Sequence, residues 1–320
     1  MNGFMHSPAS LTRRDFLAAT AAATVTAALG TNLAAENAAD RPIPLIAPPA
    51  SQVSRPIIGF SKPFQKLNAT ATAELVAEIG WDGIECPVRT KGQIEPAHAA
   101  DLLPAYVDAL RRQGHDVHLV TTEITSLATP HAESLLRTAA QLGLKRIRLG
   151  FLQYDAQRDI QQQLRELAPA FKDLAAACAD LGLQAGYQNH SGADSVGGPV
   201  WDVFGLIRSL DPRHMGFCFD IGHATIEGGL SWPIEARLAE PFYTAVFVKD
   251  FSWEKHANGR STPEWCPLGD GLVSPSFFER LKRSSFAGPI SQHHEYEVGD
   301  DASMRAHFKR DLAKLKSWLA

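Results

Sequence analysis

The stretch from Ile160 to His190, "IQQQLRELAPAFKDLAAACADLGLQAGYQNH", holds one complete helix-then-strand unit. Ile160, Leu164, Leu167, Phe171, Leu174, Cys178 and Leu181 recur at alternating steps of four and three, the spacing of one apolar face on a long helix. The apolar run from Leu183 that follows is too short for a helix and reads as a buried strand. It stops abruptly in two amides and an imidazole: Gln188, Asn189 and His190. A strand that ends in a polar cluster raises the question of what the cluster faces.

The same grammar repeats outward in both directions. Before this unit come "IIGF" at Ile57, "GIEC" at Gly83, "DVHLVTTE" at Asp116 and "RIRLGF" at Arg146. After it come "MGFCFD" at Met215, "TAVFVKD" at Thr244 and "PISQHHEYE" at Pro289. With "LQAGYQ" at Leu183 these make eight strand-like runs at a spacing of roughly thirty residues. Helical patterns lie between them. Thr129-Pro130 and Asp211-Pro212 each read as an N-cap followed by proline in the first turn, and Phe308, Leu312, Leu315 and Trp318 mark a closing amphipathic helix. Eight strands alternating with helices predict an α/β fold, a (β/α)8 TIM barrel, as a single domain over residues 55–320. A doubly wound open sheet is disfavoured because no GxGxxG follows the first strand.

The 320 residues are 45% hydrophobic and 21% charged, enough to bury a large core, and the net charge of −4 gives no basic footprint for nucleic acid. The N-terminus reads differently. Arg13 and Arg14 precede Phe16-Leu17 and an uncharged run from Ala18 to Ala35, a pattern that resembles a twin-arginine export signal over residues 1–35. That predicts a periplasmic protein handled by the twin-arginine export machinery, with a Pro/Ala-rich linker over 36–54 and no stable membrane span. The four cysteines, Cys86, Cys178, Cys218 and Cys266, show no metal-finger spacing; Cys178 and Cys218 read as free buried thiols.

In such barrels the site lies at the C-terminal ends of the strands. Those ends carry Glu85, Glu123, Gln188 with His190, Asp220 with His223, Lys249 with Asp250, and His293 with Glu295. Strand periodicity puts Gln188 and His190 on one face, and likewise Phe247 with Lys249 and His293 with Glu295. Trp253, Trp265 and Phe247 lie near strand-end loops, where they could stack on a ligand's ring or serve as core or rim packing. "WCPLGDG", Trp265 to Gly271, is a glycine-rich loop before a helix, a place where phosphate can bind, although Asp270 would repel it.

"CFDIGHA", "FVKDF", "PLGDG" and "GPISQHHEYE" together resemble the xylose isomerase-like barrels, which include sugar isomerases, epimerases and endonuclease-IV relatives, and within them an export-tagged branch of sugar phosphate isomerase/epimerases. The resemblance implies a divalent metal (Mn, Co, Mg or Zn) held by Glu, Asp, His and Glu on the fifth to eighth strands. Asp220 and Glu295 match two of these ligands, whereas Gln188 stands at the first glutamate and Phe247 at the histidine. The expected metal set is therefore Asp220, Glu295 and Gln188, with His190, His293 or Glu123 to fill in. The alternative is that no metal is held and that Lys249 stabilises an enediolate by its charge. Glu295 is the expected base, His190 or His223 its partner, and Lys249 the polarising group. His223, Glu123, His293, Asn189 and Trp253 are the expected substrate contacts. The implied activity is a sugar isomerase or epimerase acting by proton abstraction next to a carbonyl. A 3-keto-sugar lyase working by β-elimination and a non-catalytic carbohydrate-binding barrel are the alternatives.

Overall fold

Each of the eight apolar runs contributes a strand to one closed, parallel barrel in a computed structural model that describes residues 54–320. The predicted signal segment and, but for Ser54, the linker lie outside the described residues. The strands are β1 (Ile57–Phe60), β2 (Gly83–Pro87), β3 (Asp116–Thr121), β4 (Arg146–Arg148), β5 (Gln184–Gln188), β6 (Met215–Asp220), β7 (Tyr243–Val248) and β10 (Ile290–Gln292). They neighbour in sequence order, and β1 pairs with both β2 and β10 to close the ring. Two further strands, β8 (Asp250–Lys255) and β9 (Ser261–Cys266), form an antiparallel hairpin just after β7. The sequence reading missed that hairpin and took Asp250 as the end of a barrel strand.

The helices form the outer layer. They are α1 (Ala69–Ile79), α2 (Ala99–Arg112), α3 (Ala132–Gln141), α4 (Ile160–Leu181), α5 (Val200–Ile207), α6 (Ile221–Gly228), α7 (Trp232–Ala239), α8 (Ser276–Arg283) and α9 (Asp301–Leu319). Among the described residues no helix is long and apolar enough to cross a membrane. In α4, Phe171, Leu174 and Cys178 are buried as the pattern requires, but Ile160 is about half exposed, and the polar Gln163 is buried in its stead. Gln163 repays burial by accepting from Asp155 N and donating to the Asp155 and Arg158 carbonyls. Gly182 ends the helix at φ 67°, a left-handed cap that glycine adopts without strain.

Two predicted helix starts are corrected. Thr129-Pro130 lies one turn ahead of α3, where Thr129 Oγ1 accepts from the Thr125 and Ser126 N–H groups. Asp211-Pro212 opens a turn that leads straight into β6, with no helix behind it. The four cysteines are free thiols, all buried but Cys266. The barrel interior holds Ile58, Leu119, Cys218, Ala245 and Phe247, while the larger apolar core lies between strands and helices. That plug of side chains closes the barrel below the site, so the strand ends above it can carry charge.

Candidate active site

Asp220 ends β6 and caps α6, its Oδ1 accepting from His223 N at 3.1 Å. Asn189, one residue beyond β5, fixes that junction from the side. Its Nδ2 donates to the Asp220 carbonyl at 2.9 Å, and its Oδ1 accepts from the Asp220 N–H at 2.8 Å. Asn189 is fully buried and each end of its amide is bonded to backbone, so it positions the site.

Lys249, just past β7, sends its Nζ into the centre of the cluster. It lies 3.2 Å from Asp220 Oδ2, 3.1 Å from Glu295 Oε1 and 2.7 Å from His223 Nε2. An ammonium only donates, so His223 Nε2 must accept, and its Nδ1–H then donates to Ser191 Oγ at 2.7 Å. Burial holds the His223 pKa well below the usual value, in accord with a neutral ring. The Trp265 ring lies 4.4 Å from Nζ. Gly222 makes room for this lysine, since a Cβ there would lie 2.9 Å from Lys249 Cγ and 3.0 Å from its carbonyl.

Gln188 is oriented by what it touches. Arg148 Nε can only donate and meets Oε1 at 3.1 Å; the Asp220 carboxylate accepts from Nε2 at 2.8 Å. On the opposite wall, Glu85 Oε2 accepts from Ser291 Oγ at 2.6 Å and from His293 Nε2 at 2.8 Å, and Glu85 Oε1 accepts from Thr121 Oγ1. Burial would lower the His293 pKa, but the Glu85 and Glu295 carboxylates beside it raise it above the ordinary value. Burial would likewise raise Glu295, and the Lys249 charge with His293 overrides it and holds the acid far below the carboxylate range. His190 keeps one nitrogen for chemistry. Its Nδ1–H donates to the Ser191 carbonyl at 2.9 Å, leaving the Nε2 lone pair without a partner among the described residues. Burial lowers its pKa as well.

Glu85, Arg148, Gln188, His190, His293 and Glu295 line a cavity of about 90 Å³. The family models match one description, Xylose isomerase-like TIM barrel, over residues 73–318. The chain belongs to that family. Solved xylose isomerase-like barrels agree in fold. One from Mycobacterium smegmatis, in complex with magnesium, is 18% identical at TM-score 0.61, covering 83% of this chain and 98% of its own. A putative xylose isomerase from Rhodospirillum rubrum is 16% identical at 0.65, covering 82% and 99%. The 3-keto-D-glucoside 4-epimerase of E. coli is 16% identical at 0.64, covering 82% and 100%. No curated protein matches the sequence.

The metal set read from the resemblance does not fit a divalent ion here. Lys249 Nζ stands between Asp220 and Glu295, where a cation would be shared by the two carboxylates. Gln188 turns its NH2, a donor, toward Asp220 and gives its oxygen to Arg148. Phe247 is fully buried in the barrel plug, its ring 4.4 Å from that of His293. A different group, Glu254, His256 and Glu264 on the hairpin, brings three ligand atoms within 4.8 Å of one another and could hold a metal ion away from the barrel mouth.

Of the predicted substrate contacts, His293 lines the cavity and His223 sits behind it, bound to Lys249. Glu123 accepts from Thr90 N and Oγ1, both at 3.0 Å, and takes no part in the cavity wall. Trp253 stands out on the hairpin, about half exposed and edge-on to Phe251. The glycine-rich loop is closed to phosphate, since Gly269, Gly271 and Val273 all donate their N–H groups to the Asp250 carboxylate. The sequence reading missed Arg148, along with Arg89, Lys62, Phe60 and Phe151 in the same wall. The signal was available: "RIRLGF" ends a central parallel strand in an arginine, a residue that burial tolerates only with a purpose.

Proposed function

We propose that this protein abstracts a proton from the carbon next to a sugar carbonyl and returns it either to the neighbouring carbon, an isomerase reaction, or to the other face of the same carbon, an epimerase reaction. The observation that carries the reading is the one-sided His190, with a free Nε2 in a cavity that also holds His293, whose pKa the Glu85 and Glu295 carboxylates raise. His190 Nε2 takes the proton; the C–H electron pair becomes the double bond of an enediol(ate), and the carbonyl π pair moves onto oxygen. His293 supplies a donor to that oxygen, and Lys249 supplies fixed positive charge nearby. Glu295, so strongly held by Lys249, is a weak base; it serves instead to keep Lys249 in place. Sugar as the substrate class is supported by family membership.

The same base–acid pair favours one second reading. If the carbon beyond the abstracted proton bears a leaving group, protonation by His293 completes a β-elimination, the lyase reaction. Incubation of the full chain with ketohexoses and 3-keto-glucosides in D2O tests both. Deuterium in recovered sugar of unchanged skeleton indicates isomerisation, and loss of the leaving group's mass indicates elimination. His190→Gln is expected to slow either by about a hundredfold or more. Wild-type rates in that variant would sink the assignment of the base, and no exchange on any sugar would leave a binding barrel.

A further inference from the structure

We propose that the cavity takes a sugar carrying an anionic group, a carboxylate or a phosphate, and that Arg148, Arg89 and Lys62 hold that group. This deepens the reading above and rests on it only in taking the cavity as the sugar's place.

Arg148 is the decisive residue. It is 2% exposed, and no carboxylate forms an ion pair with it among the described residues. Its Nε is spent on the neutral oxygen of Gln188, and its guanidinium lies 3.9 Å from the Phe151 ring centroid. Its two terminal nitrogens make no hydrogen bond to protein among the described residues. Burial pushes its pKa down to about 10, which still leaves it charged. A buried cation normally has a charged partner. Here the nearest acid, Glu85, is already satisfied by Thr121, Ser291 and His293.

Arg89 and Lys62 stand in the same wall. Arg89 lies 5.8 Å from the Phe60 ring centroid and makes no ion pair among the described residues, and Lys62 makes neither a side-chain hydrogen bond nor an ion pair. Lys62 is felt by Glu295 at a distance, but Glu295 has Lys249 as its own cation. Two guanidinium groups and an ammonium thus converge on one cavity with no protein anion paired to them. A guanidinium with both terminal nitrogens open suits two oxygens of one carboxylate or phosphate. A neutral sugar would leave Arg148 as unpaired as before.

Calorimetric binding to the full chain decides, with D-glucuronate, D-glucose 6-phosphate, D-glucose and inorganic phosphate as probes. At least one acid sugar is expected to bind about tenfold or more tightly than glucose. Preference for glucuronate assigns the carboxylate source, and preference for the phosphate ester assigns the other. Arg148→Gln and Arg89→Gln should each remove most of that advantage. Arg89 is only half-buried, so its variant carries the test by itself if Arg148→Gln fails to fold. Equal binding of glucose and both acids, acid binding unaltered in Arg89→Gln, or inorganic phosphate bound in preference to either acid sugar would overturn the proposal. Binding without turnover keeps the two readings separate. Tight acid binding with no deuterium exchange would remove the isomerase reading alone, and fast exchange confined to neutral sugars would remove this one alone.

Discussion

At position 188 a carboxamide stands 2.8 Å from the Asp220 carboxylate, with an arginine on its other side. A carboxylate at the same place would bring two like charges into contact and would need a cation between them. The amide removes that need, and Lys249 supplies positive charge from the next strand over. Gln188→Glu is therefore expected to lower the free energy of unfolding at pH 7 by about 2 kcal/mol, measured by urea titration. Manganese should restore part of the loss in the variant and do nothing for the wild type. An unchanged midpoint in the variant would mean that the amide's direction carries no weight. The residue identities at 188, 220 and 295 were legible in the sequence. Their pairing was not, because it depends on where a flexible lysine ends, and no periodicity encodes that.

The hairpin of β8 and β9 is the element that the sequence hid most completely. Its strands alternate apolar and polar residues weakly, and "FVKDF" reads as one continuous strand until Asp250 is seen binding back to the 269–273 loop. The eight barrel strands were legible because each is a short, mostly buried segment in an apolar stretch, whereas a solvent-facing hairpin needs no such stretch. The hairpin also gathers Glu254, His256 and Glu264. Any divalent ion this chain retains is expected there: His256→Ala should abolish binding of manganese or zinc in equilibrium dialysis, and Asp220→Asn should not. Loss of the ion in the Asp220 variant instead would return the metal to the barrel mouth.

At the scale of the whole molecule, acid sensitivity is built into the seam between the barrel and α9. His294 lies there, among Trp81, Phe308 and Tyr296, with neither ring nitrogen hydrogen-bonded and the Asp311 carboxylate, which accepts from Tyr296, 3.5 Å from its Nε2. Burial pushes its pKa down to about 3, with the neighbouring His293 and His307 adding to the effect. The unfolded chain binds this proton near pH 6.5 and the folded chain does not, so stability is complete above that pH and falls as pH drops below it. Between pH 7.5 and pH 5 the loss from this residue is about 2 kcal/mol by linkage, and His294→Phe should remove it from the urea midpoint. An equal slope in the variant would assign the acid sensitivity elsewhere. Closure of the barrel itself governs assembly. Glu85 on β2 receives Ser291 and His293 from the far end of the barrel, more than two hundred residues away along the chain. A half-folded chain has no closed cavity, because the residues of β2 and β10 that meet at Glu85 come together only when the last strand docks beside β1. Completion of the ring, a late event for contacts of such long sequence separation, is thus the step at which this chain becomes competent.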